Sequence, residues 1–157
     1  MSFLKEKAYQ IVEILKEKRK ILSIAESCTG GLICSSISDI PGASIVFAGG
    51  VIVYATEMKK KILGVPQEVF SYGVISQEMA TAMAISVKSL TGSDYSIATT
   101  GNLGPDTMEG KPKGLIYIAV ATPEKVYVKK LNLQGDRLSN KIEATIEALK
   151  LLLGVIE

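Results

Sequence analysis

The sequence predicts a three-layer α/β/α sandwich with a mixed β-sheet, built as a single domain over residues 1–157. Three observations carry that reading. Amphipathic helical stretches alternate with short apolar strand-like runs through most of the chain, two adjacent strand-like runs then form a hairpin, and a last amphipathic stretch closes the sequence. A chain of 157 residues with 47% hydrophobic content also has enough core to fold without a metal or a disulfide.

The elements follow in order. Residues 3–19 carry Leu4, Ala8, Ile11, Ile14 and Leu15 at helical spacing, with Lys and Glu on the other face. Residues 21–25 have the length and composition of a buried strand, and 32–37 read as a helix broken at Pro41-Gly42, so Glu26-Ser27-Cys28-Thr29-Gly30-Gly31 lies on a strand-to-helix turn. Residues 45–54 look like a strand whose Gly49-Gly50 pair marks a bulge or a close backbone approach. A short helix over 57–63 is stopped by Gly64, and Ser76 caps a longer one reaching about Leu90. Residues 95–99 form a strand that runs into a loop with Gly101, Gly104, Pro105, Gly110 and Pro112. Residues 115–121 and 125–133 make the hairpin, and 136–153 the final helix.

Composition removes several classes of function. Eighteen basic and sixteen acidic residues are scattered through the chain and provide no basic stripe for nucleic acid. There is no histidine, which excludes Ser-His-Asp and Cys-His catalysis and His-ligated zinc, and leaves any serine chemistry in need of another base. Cys28 and Cys34 alone cannot complete a zinc site, so neither a metal nor a cofactor is expected. The N-terminus is charged too early for a signal peptide, and no apolar run approaches the roughly 18 residues that span a bilayer. The expectation is a cytoplasmic protein with reduced thiols and no nucleic-acid or membrane partner. A homo-oligomer is expected, with a dimer favoured.

In an open α/β sheet, ligands bind beyond the C-terminal ends of strands. Three segments of this chain end that way. The Ser27–Gly31 turn places hydroxyls and glycines at a helix start, which suits either a nucleophile beside an oxyanion site or an ordinary cap. The second segment supplies Tyr54 and Lys59, with Lys60 and Lys61 reading as a solvated face. A desolvated Lys59 is the obvious base where histidine is lacking, because burial lowers a lysine pKa. The third, Thr99-Thr100-Gly101-Asn102-Leu103-Gly104-Pro105, lets a ligand approach the backbone closely but also fits a plain turn.

Several of these motifs, taken in order, resemble a known family. Ala25-Glu26-Ser27-Cys28-Thr29-Gly30-Gly31, Pro41-Gly42-Ala43-Ser44, Tyr54 through Lys59 to Leu63-Gly64-Val65, Gly73-Val74-Ile75-Ser76, Thr100-Gly101 with Gly104-Pro105, and Lys113-Gly114 look like the CinA C-terminal domain, the nicotinamide-nucleotide amidase family. The resemblance implies deamidation of nicotinamide mononucleotide to nicotinic acid mononucleotide and ammonia by a serine amidohydrolase without histidine. It implies Ser27 as nucleophile, with Lys59 and Tyr54 activating it and handling protons. Thr29, Gly30, Gly31, Thr100, Gly101 and Gly104 would bind substrate, the backbone N–H groups of residues 29–31 serving either an oxyanion or a phosphate. Arg137 matches a family position that could pair with the phosphate, and it also reads as a surface arginine at a helix terminus.

The loop departs from the family pattern. Leu103 stands where Ala is common, and Asp106-Thr107-Met108-Glu109-Gly110 replaces a Gly-rich stretch, which bears on pocket shape and substrate choice. The N-terminal domain that accompanies this module in full-length CinA proteins is expected to be absent, the chain reading as the stand-alone form. A catalytically silent nucleotide-binding module and a Cys28 nucleophile are the alternative readings.

Overall fold

A computed structural model describes residues 2–157. Helix α1 (Phe3–Lys18) is followed by β1 (Leu22–Glu26), α2 (Leu32–Ser38), β2 (Phe47–Ile52), α3 (Thr56–Lys61), α4 (Gln77–Thr91), β3 (Tyr95–Gly101), β4 (Leu115–Ala121), β5 (Val126–Asn132) and α5 (Arg137–Ile156). The strands form one sheet in the order β2-β1-β3-β4-β5. Both neighbours of β1 run parallel to it, and the β3–β4 and β4–β5 pairs are antiparallel. This is the three-layer sandwich with a mixed sheet that the sequence predicts.

The two faces of the sheet bury different kinds of side chain. Leu22, Ile24, Ile97, Ile116, Ile118 and Val120 pack against α1, α2 and α5 in one core. Ala25, Ala98, Ala119 and Ala121 face α4 in the other, with Met79, Ala80, Met83, Ala84 and Val87 of that helix. Small residues let α4 lie close enough for Ser96 Oγ to donate to the Ala84 carbonyl at 2.6 Å and Ser23 Oγ to the Val87 carbonyl at 3.4 Å. Those buried hydroxyls are therefore satisfied, which their burial demands.

Local sequence explains most element boundaries. Ser2, Ser76 and Asp136 cap α1, α4 and α5 by accepting the N–H of Lys5, Met79 and Ser139. The strand expected over 45–54 is shorter than its apolar run, because residues Ala43–Ile45 form a 3-10 turn after Gly42 and leave Ile45 exposed. Both readings of the glycine pair apply. The register skips a residue between Phe47 and Gly49, and a Cβ on Gly50 would collide with Cys34 Sγ and the Ile24 carbonyl. A 3-10 segment over Gln67–Tyr72 fills the connection through Pro66 and Gly73, where no element is expected from the sequence.

Helix α2 leads from β1 to β2 on one face, and α4 leads towards β3 on the other face and the opposite side of β1. The C-terminal end of β1 is thus the switch point of the parallel part of the sheet, where a crevice opens. Ser27 is the first residue beyond that strand. At the far end of the same loop system Gly114 holds a left-handed φ of +85°, and a Cβ there would overlap the Leu133 carbonyl. Gly114→Ala is expected to lower the unfolding free energy by roughly 2–4 kcal/mol, measured by chemical denaturation, since strain and backbone overlap add.

Candidate active site

The site is built from three strand ends. Ser27 is buried, and its N–H donates to the Thr99 carbonyl of β3 at 3.2 Å. Behind it lies Glu26, fully buried, whose carboxylate accepts the backbone N–H of Gly31 at 3.1 Å, Ile33 at 3.1 Å and Cys34 at 2.9 Å. That carboxylate occupies the unpaired donors at the start of α2 and fixes the turn on which Ser27 stands. Thr29 is equally buried, its hydroxyl 2.8 Å from that of Thr99.

Lys59 reaches the same point from α3. It is 1% exposed, while Lys60 and Lys61 beside it lie on the solvent side, and Lys60 Nζ donates to Gln67 Oε1 at 2.8 Å. Its Nζ lies 3.1 Å from Ser27 Oγ, 2.9 Å from the Val53 carbonyl and 3.3 Å from the Tyr54 carbonyl. Burial pulls its pKa below the usual lysine value, against the opposing pull of Cys28, Glu109 and Glu57. The amine thus sits within hydrogen-bonding distance of one serine hydroxyl and two backbone carbonyls.

Cys28, beside Ser27, is buried at the same point. Burial pushes its thiol up to about 12, so it stays protonated at neutral pH and is a poor nucleophile.

A cavity of about 200 Å³ opens over this pair, lined by Ser27, Cys28, Tyr54, Gly101, Asn102, Leu103, Asp106, Thr107, Met108 and Arg137. Several sequence expectations change here. The Tyr54 phenol does not touch Lys59 or Ser27: it accepts from Arg137 Nη2 at 2.7 Å at the mouth, and only the Tyr54 backbone carbonyl meets Lys59. Lys59 and Ser27 meet directly, without the phenol between them. The Gly31 N–H is taken by Glu26 and that of Gly30 by the Ser27 carbonyl, so neither is open to an oxyanion or a phosphate. Thr100 points away, donating to the Val74 carbonyl, and Gly104 is buried with its carbonyl accepting from Arg137 Nη1 at 2.8 Å.

Other residues at the site carried no sequence signal. Glu26 gives no sign of being a cap, because its partners are backbone groups. Lys141, one turn after Arg137, lies beside Gly30, where a Cβ would be 3.4 Å from its ammonium. Among the described residues no group of three or more His, Cys, Asp or Glu could hold a metal ion, and no helix is long and apolar enough to cross a membrane. A larger apolar groove of about 900 Å³ runs along α4 near Leu63, Ile85 and Leu90, but it holds no paired nucleophile and base.

Residues 4–156 match the family model of the CinA C-terminal domain. The chain belongs to the CinA C-terminal domain family. A CinA-like protein of Desulfovibrio desulfuricans is 44% identical over 133 residues, covering 83% of this chain and 31% of that protein. A CinA-like protein of Frankia casuarinae is 39% identical over 143 residues, 90% of this chain and 33% of that one. The chain thus spans about a third of the length of the curated relatives it matches. Among solved structures, a competence/damage inducible protein from Agrobacterium tumefaciens superposes with a TM-score of 0.95 at 27% identity, covering 100% of this chain and 98% of the other. A CinA superfamily protein from Escherichia coli gives 0.94 at 28% identity, covering 97% and 90%.

The lowered lysine pKa makes this CinA-family domain's stability depend on pH in a definite direction. The unfolded state holds the Lys59 proton up to about 10.4, whereas the folded state releases it lower, so between the two values stability rises with pH. Below the folded pKa that contribution is lost. The unfolding free energy of the wild type minus that of Lys59→Met is therefore expected to increase with pH across this window, as measured by denaturant unfolding at a series of pH values.

Proposed function

We propose that this domain is an amidohydrolase that converts nicotinamide mononucleotide to nicotinic acid mononucleotide and ammonia, with Ser27 as nucleophile and Lys59 as base. The observation that carries the reading is the buried Lys59 amine, held by two carbonyls and aimed at Ser27 Oγ at 3.1 Å. The family resemblance supplies the substrate.

In this reading Ser27 Oγ attacks the carboxamide carbon while Lys59 Nζ takes the hydroxyl proton. The carbonyl oxygen becomes an oxyanion. The hydrogen-bond donor proposed for it is the N–H of Cys28, a residue that lines the cavity next to Ser27. The carbon–nitrogen bond then breaks as Lys59 returns its proton to the departing nitrogen, and ammonia leaves an acyl-serine. A water gives its proton to Lys59 and attacks the ester carbonyl. Ser27 regains its hydrogen, and the product departs as a carboxylate.

The cavity's size divides the substrate. About 200 Å³ accepts the amide and its ring, below the span of roughly 300–1,000 Å³ typical for whole ligands. The ribose phosphate would extend through the mouth towards Arg137 and Lys141, which stand on successive turns of α5. Arg137 offers a planar fork suited to phosphate oxygens once it leaves Tyr54 and the Gly104 carbonyl.

Ammonia release from the mononucleotide, its riboside, free nicotinamide and the dinucleotide tests the reading. The mononucleotide is expected to turn over, and Ser27→Ala to lower kcat at least about a thousandfold. Lys59→Met should be equally inactive, and Lys59→Arg should not restore activity, because arginine cannot act as a neutral base. Rescue by arginine would show that only positive charge is needed. Binding of the mononucleotide without release of ammonia from any amide would favour the silent nucleotide-binding module instead.

A further inference from the structure

We propose that Glu109 is a positioning residue that clasps the 103–113 loop to the segment before α4, and so shapes the cavity wall that discriminates the substrate beyond its amide. The substrate named in the test rests on the amidohydrolase reading, whereas the clasp rests on geometry.

The loop is held from two sides. Asn102, buried at the end of β3, accepts the Met108 N–H at 3.0 Å and donates to the carbonyls of Met108 at 3.3 Å and Lys111 at 3.1 Å. From the other side the Glu109 carboxylate accepts the N–H of Val74 at 2.8 Å and of Ile75 at 3.0 Å. Lys111 joins them, donating to Glu109 Oε1 at 3.2 Å and to the Ile75 carbonyl. The Val74 carbonyl is taken by Thr100 of β3. Residues 74–75 are therefore tied to β3 on one side and to the loop on the other. Asp106, Thr107 and Met108, immediately before Glu109, line the cavity over Ser27.

Two features of the backbone accompany this contact. Glu109 sits at φ +60°, a left-handed conformation that a side chain rarely adopts. Gly73 leaves the space the clasp fills, because a Cβ there would lie 2.7 Å from Glu109 Oε1 and 2.9 Å from Lys111 Nζ. Burial alone would raise the Glu109 pKa, but the Val74 and Ile75 N–H groups and Lys111 outweigh it and hold the carboxyl below the usual range. The clasp is thus charged at neutral pH.

That charge also reaches Lys59. Ser27 and Cys28 face the lysine from the β1–α2 turn, Glu57 acts from its own helix and Glu109 from the loop, while Asp106, the Tyr54 phenol and Arg137 lie around the cavity. Cys28 is protonated at neutral pH, which leaves Glu109 and Glu57 as the anions that favour the ammonium form. Removing the Glu109 charge lowers the Lys59 pKa further, so more of the amine is neutral at a given pH.

The experiment compares wild type, Glu109→Gln and Glu109→Ala by steady-state kinetics across pH and by hydrogen–deuterium exchange. For Glu109→Ala, KM for the mononucleotide is expected to rise about tenfold, the scale of a lost charge-assisted hydrogen bond, with kcat retained. In both variants the acid limb of the kcat/KM profile should move to lower pH, a shift that mere loosening of the fold would not produce. The Val74 and Ile75 amides and loop 103–113 should exchange faster in Glu109→Ala. A fall in kcat at unchanged KM, with the acid limb in place, would overturn the proposal. If wild type releases no ammonia from any amide, the functional reading fails and exchange alone decides the clasp: wild-type exchange rates in Glu109→Ala would refute it, and faster exchange confined to these residues would uphold it.

Discussion

The candidate site depends on keeping one lysine amine out of water. A solvated lysine is protonated at neutral pH and cannot accept a proton. Here the side chain enters from a helix of 6 residues, is 1% exposed, and ends between two backbone carbonyls and a serine hydroxyl. Every neighbouring element serves that contact. Strand β1 delivers Ser27, the end of β2 leads into the Val53 and Tyr54 carbonyls, and α3 carries Lys59 itself.

Such a site needs walls that do not hold the lysine in its charged form. The buried Glu26 carboxylate is close in sequence to Ser27 but directed at the N–H groups opening α2, so its charge is spent on the helix start. The same arrangement removes Gly31 as an anion binder. Beyond the Ser27–Lys59 pair, the cavity is closed by a loop held internally by Asn102 and externally by the strip before α4. A loop tied down in this way can act as a fixed wall, which a chain of unpaired residues could not.

How much of this is legible in the sequence varies by residue. The layer order and the helices were readable because apolar periodicity and Ser, Gly and Asp punctuation act over a few residues, as at Ser76 and Asp136. Strand β2 was read too long because Ile45 is apolar yet exposed, and only the turn after Gly42 reveals it. Ser27 and Lys59 are nameable from residue type and the absence of histidine, since any serine chemistry here must find another base. The Tyr54 phenol reaches α5, 83 residues away in the chain, and no local pattern reports such a contact.

The sequence by itself determined the fold class, the family and the residue types available for chemistry, because these follow from short-range periodicity and from motif order. Tertiary structure alone decided which polar groups are free. Whether the Gly31 N–H serves Glu26 or a ligand, whether Thr100 faces the cavity or Val74, and whether Glu109 is a surface charge or a clasp all depend on contacts between distant segments. A buried hydrogen-bonding group has a limited number of partners, and only the packed chain shows which have been taken.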